Sequence, residues 1–188
     1  ILFGYGEVGN DHPIGSGQRY FNKDLAQREY DPDNAKFHLK EAGLDSLAIK
    51  INASEAAFAG AVDAAILIQN SAKGAGIELE VERTPNDGFW ADHWIKSPFI
   101  TSYGSGRPVE DQMFSTAYQT GVSWNETRQA NEHFDELLVA ARAELNEDTR
   151  RAMYYEMQEI VHNEGGALIP MFASYVFAIA DNVGMPEK

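Results

Sequence analysis

The chain contains no cysteine. That single absence removes disulfide cross-links, thiolate zinc sites and cysteine nucleophiles together. Positive charge is scarce as well. Fifteen Lys and Arg stand against 29 Asp and Glu, giving a net charge of −14 over 188 residues. Such a chain is a poor general partner for phosphate backbones, so nucleic acid is set aside as a ligand, and the acidity favours solubility. Long hydrophobic runs are missing too. The longest mostly apolar stretch, Ala61 to Gln69, is interrupted by Asp63 and is far too short to span a bilayer. No signal-peptide pattern precedes Ile1, and the opening Ile1-Leu2-Phe3-Gly4-Tyr5-Gly6 reads like the middle of a domain. The expectation is a processed product or an excised piece of a longer protein, with the piece preferred.

Several catalytic signatures are also lacking. No Gly-x-Ser-x-Gly elbow is present, because Gly15-Ser16-Gly17 and Gly104-Ser105-Gly106 have the wrong length. No Walker-type loop occurs. Gly4-Tyr5-Gly6-Glu7-Val8-Gly9 matches G-x-G-x-x-G, but Asn10-Asp11-His12-Pro13 opposes the helix that would have to follow. The five histidines, His12, His38, His93, His133 and His162, show no pairing at metal-ligand spacing. Adjacent acids such as Glu110-Asp111, and Glu132 with Asp135 and Glu136, suit helix N-termini rather than a catalytic carboxylate pair. Neither catalytic residues, nor a metal, nor a cofactor is expected.

What is present is an ordinary globular composition, 44% hydrophobic and 23% charged, in a length that suits one domain. Residues 1–30 are rich in Gly, Asn, Asp and Pro and read as a largely irregular lead-in. Asp31 and Pro32 then cap and start a helix carrying Ala35, Leu39 and Ala42, which Gly43 stops. Leu47, Ile49 and Ile51 alternate with polar or small residues, as a strand requires. A helix is expected from about Glu55 to Lys73. A second strand follows at Ile77, Leu79 and Val81, with Glu78, Glu80 and Glu82 on a partly wet face. Strand, helix and strand make a βαβ unit with parallel pairing. Beyond it the pattern predicts a short aromatic helix around Phe89 to Trp94, a strand at Phe99–Tyr103, a short helix at Asp111–Ala117 and loop over 118–130. Two amphipathic helices follow, one behind Asn131 with Phe134, Leu137, Leu138 and Ala141. The other lies behind Asp148 with Met153, Met157, Ile160 and Val161. Gly165-Gly166 ends the second, and Ala167–Phe172 and Ser174–Ala180 read as strands.

In open α/β folds ligands bind beyond the carboxyl ends of strands. That rule points to Tyr103, Gly104, Ser105, Gly106 and Arg107, after the Phe99–Tyr103 strand. Small residues there admit a close backbone approach. Arg107 either clamps a ligand carboxylate with its guanidinium or pairs with Glu110 or Asp111 to fix the loop. Ser54, Glu55 and Phe58, after the first strand, and Trp124, in the long loop, are further candidates. Each has a local alternative, Ser54 or Glu55 as a helix cap and Phe58 as core.

Tyr30-Asp31-Pro32-Asp33-Asn34-Ala35-Lys36 through Glu41-Ala42-Gly43 resembles a segment of the family 5 extracytoplasmic solute-binding proteins, the dipeptide, oligopeptide and nickel binders of ABC importers. Ile66 to Val81, Phe134-Asp135-Glu136-Leu137-Leu138, Arg150 to Val161 and Ala167-Leu168-Ile169-Pro170-Met171-Phe172 resemble later segments of that family in the same order. The resemblance implies an α/β lobe of a type II periplasmic-binding-protein-like fold, with a mixed sheet flanked by helices. Residues 1–188 would form the C-terminal lobe, with an N-terminal lobe and signal peptide lying ahead of Ile1. It implies a non-enzymatic substrate-binding protein, periplasmic or lipid-anchored at the cell surface, that captures a small peptide-like solute in an interlobe cleft and docks to a membrane permease. With half a cleft, the lobe alone is expected to bind weakly or not at all. Peptide-binding members often carry Trp-x-x-Asp after the strand, the Asp meeting the peptide's α-ammonium. Here Tyr103 takes the aromatic place, Gly106 falls where the Asp would be, and Arg107 follows. The departure favours a solute with an anionic or polar group near Arg107. It also leaves room for a non-peptide solute such as a sugar, an opine or a metal chelate.

Overall fold

In the computed structural model, which describes residues 1–184, a parallel strand pair and a three-helix unit each build a core, and irregular segments join them. The elements are β1 (Gly6–Val8), α1 (Pro32–Glu41), β2 (Leu47–Ala53), α2 (Ala61–Ala72) and β3 (Ile77–Arg83). These are followed by α3 (Phe89–Asp92), α4 (Glu110–Ala117), α5 (Glu132–Ala143), α6 (Glu147–Glu164) and β4 (Met171–Ala173). Among the described residues no helix is long and apolar enough to cross a membrane.

Helix α1 forms as its sequence dictates. The Asp31 carboxylate accepts from the N–H groups of Asp33 and Asn34, 3.1 and 2.9 Å away, satisfying donors the first turn leaves open. Gly43, at φ +74°, ends the helix. Strands β2 and β3 pair in parallel, from Leu47 opposite Ile77 to Ala53 opposite Arg83. Ile51, Ala53 and Leu79 bury against Val62 and Ala65 of α2. The opposite face is polar, where Lys50 bridges Glu80 and Glu82 at 3.4 and 3.1 Å.

Helix α2 begins at Ala61, six residues after the start expected at Glu55. Residues 55–60 form turns instead. The Glu55 carboxylate reaches forward to the N–H groups of Gly60 (2.6 Å) and Val62 (3.2 Å), so it serves the helix start without joining the helix. The strand expected at Phe99–Tyr103 shortens to one parallel bridge between Asn52 and Ile100. Asn52 N–H donates to Phe99 and Thr101 N–H donates to Asn52. The ladder then stops because the Thr101 hydroxyl, not a backbone carbonyl, takes the Ser54 N–H at 3.2 Å.

Helices α4, α5 and α6 enclose the larger core, with Phe114, Phe134, Leu138 and Met157 fully buried. Asn131 caps α5 through a 2.9 Å bond from Phe134 N–H. The cap of α6 is Asn146, bonded from Thr149 N–H at 3.0 Å, rather than Asp148. The buried stripe of α6 is also rotated from the expected one. Tyr154 and Gln158 join Met157 and Val161 inside, while Met153 and Ile160 are half-buried at the rim.

The lead-in is irregular but pinned. Tyr20 N–H donates to buried Glu110 (2.7 Å), and Asn22 N–H donates to buried Gln158 (2.8 Å). Its one regular piece, β1, pairs antiparallel with β4, Glu7 opposite Phe172. Gly9 continues that approach, bonding Pro170 at 2.8 Å, and a Cβ there would collide with the Ile169 carbonyl. The strands expected at Ala167–Phe172 and Ser174–Ala180 reduce to Met171–Ala173. Strand β1 offers three residues to pair with, and Pro170 has no N–H to donate. Parallel and antiparallel pairing therefore both occur, in separate two-stranded sheets.

Candidate functional site

The carboxyl ends of β2, β3 and the 99–101 segment converge on a small polar floor. Ser54 is completely buried there. It donates its N–H to Thr101 Oγ1, its hydroxyl lies 3.0 Å from Asn86 Oδ1, and its Oγ accepts Ala56 N–H. Phe58 is half-buried beside Ala57, Ala61 and Phe89 in the adjoining apolar cluster. Glu55 is engaged at the start of α2. Of the three candidates after β2, Ser54 thus shapes the floor, Phe58 packs behind it and Glu55 holds a helix end.

Above the floor the chain gathers all three of its tryptophans. Tyr103 meets Trp90 edge-on at 5.6 Å between ring centroids, Trp90 meets Trp94 at 6.5 Å, and Trp94 meets Trp124 at 5.9 Å. All three contacts are near-perpendicular, the arrangement that ring quadrupoles favour. Trp90 is fixed from below by buried Phe89, at 5.2 Å. The two ends of the row remain open, with Tyr103 57% and Trp124 51% exposed. Sequence reasoning singled out Tyr103 and Trp124 separately. It did not anticipate that Trp90 and Trp94 join them, because no spacing rule links a short helix to a loop thirty residues on.

Glu126 was likewise not anticipated. Its Oε1 accepts Trp94 Nε1–H at 2.6 Å and the Ser102 hydroxyl at 2.9 Å. The 118–130 loop is itself braced by buried Asn125, whose amide donates to the Gln119 and Gln129 carbonyls. Arg128 ties it back to the Ile95 carbonyl at 2.9 Å.

Gly104, Ser105 and Gly106 are exposed, and a Cβ added at Gly104 or Gly106 would meet open space. Arg107 Nη1 donates to the Ser105 carbonyl at 3.0 Å, curling the loop around the guanidinium. Neither suggested acidic partner takes it. Asp111 pairs with Arg142 at 2.6 Å and Glu110 faces Tyr20 N–H. Among the described residues Arg107 forms no ion pair, and no group of three potential metal ligands occurs.

The curated dipeptide-binding protein DppE of Bacillus subtilis (strain 168) is 34% identical over 77 residues, which is 41% of this chain and 13% of that protein. HbpA2 from Haemophilus parasuis superposes with a TM-score of 0.77 at 22% identity, over 93% of this chain and 36% of the other. MoaA from A. tumefacien R10, solved in complex with mannopinic acid, gives 0.67 at 24% identity, over 85% and 33%. The chain thus spans about a third of these solved structures, and its fold is part of a type II periplasmic-binding-protein fold. The model described as "Bacterial extracellular solute-binding proteins, family 5 Middle" matches residues 1–126, two-thirds of the chain, and the protein belongs to that family.

Proposed function

We propose that this chain supplies one wall of the solute cleft in the extracytoplasmic substrate-binding component of an ABC importer. The whole protein captures a peptide or peptide-like solute between two lobes and delivers it to an inner-membrane permease. Residues 1–188 act as the C-terminal lobe, and the site of action is the periplasm or the outer cell surface. The observation that carries this reading is the open aromatic row from Tyr103 to Trp124 at the carboxyl ends of the parallel strands, with Arg107 four residues beyond Tyr103 and in no ion pair among the described residues. Aromatic faces give sequence-tolerant contact area, and the guanidinium adds a directional hold on a carboxylate. Solute that favours the closed arrangement of the lobes shifts the hinge equilibrium toward it.

A second reading within the family is a non-peptide solute bearing a carboxylate. Gly106-Arg107 favours it, since a ligand ammonium placed there would meet a cation. Similarity to a protein solved with mannopinic acid agrees with it. Native mass spectrometry of the full-length protein tests both readings, and the expected result is a co-purified carboxylate-bearing solute released unchanged. Replacing Arg107 with Ala should weaken that solute about tenfold or more, the loss of a charge-assisted bond. Unchanged affinity removes Arg107 from the site, and turnover of the solute overturns the binding-protein reading.

A further inference from the structure

We propose that Arg128 is a positioning residue: it clasps the turn after α3 in a strained conformation and so sets Trp94 against Trp124. The clasp belongs to the chain itself, and its part in solute capture rests on the reading above. Ile95 lies in a turn where the Lys96 and Ser97 N–H groups donate to the His93 carbonyl, at 3.0 and 2.8 Å. Its φ is +59°, in the left-handed region. Glycine or asparagine is usual at such a place, and a β-branched residue is an outlier there because its Cβ crowds the next carbonyl. Arg128 Nη2 donates to the Ile95 carbonyl at 2.9 Å, and Arg128 is itself left-handed, at φ +55°. Four non-glycine residues have positive φ among the described residues, and one hydrogen bond joins two of them. The other two, Phe3 and Asp11, lie in the lead-in. Strain of this kind persists only where the surroundings over-determine it, and it gathers at functional segments.

The Arg128 side of the clasp is the rigid one. The Asn125 amide donates to the Gln129 carbonyl at 2.8 Å, and Asn125 Oδ1 accepts the Gln129 N–H at 3.2 Å, closing a ring around Arg128. The ring leaves both polar atoms of the Gln129 side chain without partners among the described residues, although Gln129 is only 8% exposed. A loop that keeps a buried amide unpaired and a residue left-handed is held for its shape rather than for stability. The Ile95 side is the yielding one. Its neighbour Trp94 donates Nε1–H to Glu126 at 2.6 Å and meets Trp124 at 5.9 Å between ring centroids. When Arg128 lets go, Ile95 relaxes to negative φ and carries Trp94 off Trp124, breaking the aromatic row. Solute lying along the row selects the clasped state, and the unclasped fraction lowers its apparent affinity.

Hydrogen exchange at the Lys96 and Ser97 amides of the full-length, solute-free protein reads the clasp. Replacing Ile95 with Gly or with Asn should raise their protection about tenfold, the scale of relieving one left-handed residue. Ile95→Val, still β-branched, should bring no gain. Arg128→Ala should lower protection about tenfold and shift the Trp94 indole N–H resonance as its bond to Glu126 loosens, while Arg128→Lys, which keeps a donor, recovers part of both. The double variant Ile95→Asn with Arg128→Ala should return close to wild type, since the turn no longer needs holding. An arginine that merely braced the surface would give no such rescue. Unchanged or lower protection in both I95G and I95N, or wild-type protection in R128A, overturns the clasp. No solute enters the measurement, so failure of the clasp leaves the solute-binding reading standing, and the solute found by native mass spectrometry judges that reading separately.

Discussion

His12 combines burial with an incomplete set of partners. It is 1% exposed, its ring lies 6.0 Å from Phe21, and its Nδ1 has no hydrogen-bond partner among the described residues. Burial lowers its pKa from the ordinary 6.5 to about 4, His162 pushes in the same direction, and Asp11 opposes both. Asp11 is itself shared between Arg28 and the Ile169 N–H, which limits what it returns to His12. The unfolded chain therefore takes up this proton near pH 6.5, while the folded chain refuses it until about pH 4. Stability from this group is fully present above the upper value and is lost as pH falls through the window. Each pH unit is worth about 1.4 kcal/mol, so the whole window amounts to roughly 3 kcal/mol. Urea unfolding of the wild type and His12→Phe at about pH 7 and about pH 4.5 isolates the effect, since the carboxylates titrate in both. The wild type should lose roughly 2 kcal/mol more than the variant over that interval. Parallel losses would mean that His12 is solvated and unperturbed.

At the scale of elements, an irregular segment is held by helices through polar groups inside the core. Gln158 is completely buried on α6. Its carbonyl accepts Asn22 N–H at 2.8 Å, and its amide donates to the Tyr20 and Tyr154 carbonyls at 2.7 and 2.8 Å. Gln158→Leu keeps the volume and orphans the two lead-in groups, each costing about 1–3 kcal/mol. The expected result is a loss of roughly 3 kcal/mol in urea unfolding, with helical circular dichroism intact and early proteolysis within residues 15–28. A loss below roughly 0.5 kcal/mol, as for an ordinary surface change, would show the segment is held by its apolar contacts alone. The same case explains what the sequence could reveal. Elements with their own periodicity and caps were legible: α1 behind Asp31, α5 behind Asn131, and the β2–α2–β3 unit. Their signals are local. The tertiary ties were not legible. Glu55 caps α2 from outside it, and Gln158 sits where a helical wheel wants an apolar residue. At the site, Tyr103 and Trp124 could be picked as exposed aromatics near strand ends. Trp94 and Glu126 could not be joined to them, because the hydrogen bond between those two spans 32 positions of the chain, across irregular segments and helix α4.

Across the molecule, the helical core and the core under the parallel strands are of unequal size, and the aromatic row packs through Trp90 on a third, smaller cluster around Phe89. The helical core has twelve buried members, including two phenylalanines and three tyrosines in mutual ring contact, such as Tyr20 stacked on Tyr154 at 5.1 Å. The core under the parallel strands has five, two of them alanines. Apolar burial is the main favourable term in folding, so the strand half should open at lower free energy than the helical half. Trp90, Trp94 and Tyr103 belong to the strand half, whereas Trp124 and Glu126 lie on the loop that leads into α5. The row and the Glu126 bonds are thus a seam between parts of different stability, and a solute lying on it would couple them. Native-state hydrogen exchange can read this directly. Amides of α5 and α6 should exchange slowest, and those of β2 and β3 about ten- to a hundredfold faster, a difference of roughly 1.4–3 kcal/mol. Glu126→Gln should leave both rates nearly as they are, because the amide oxygen still accepts from Trp94. Glu126→Ala should speed exchange in 89–103 and 124–128 without affecting α6. Equal protection of the strand pair and the helices would instead mean a single cooperative core, with the aromatic row as packing within it and no seam for a solute to close.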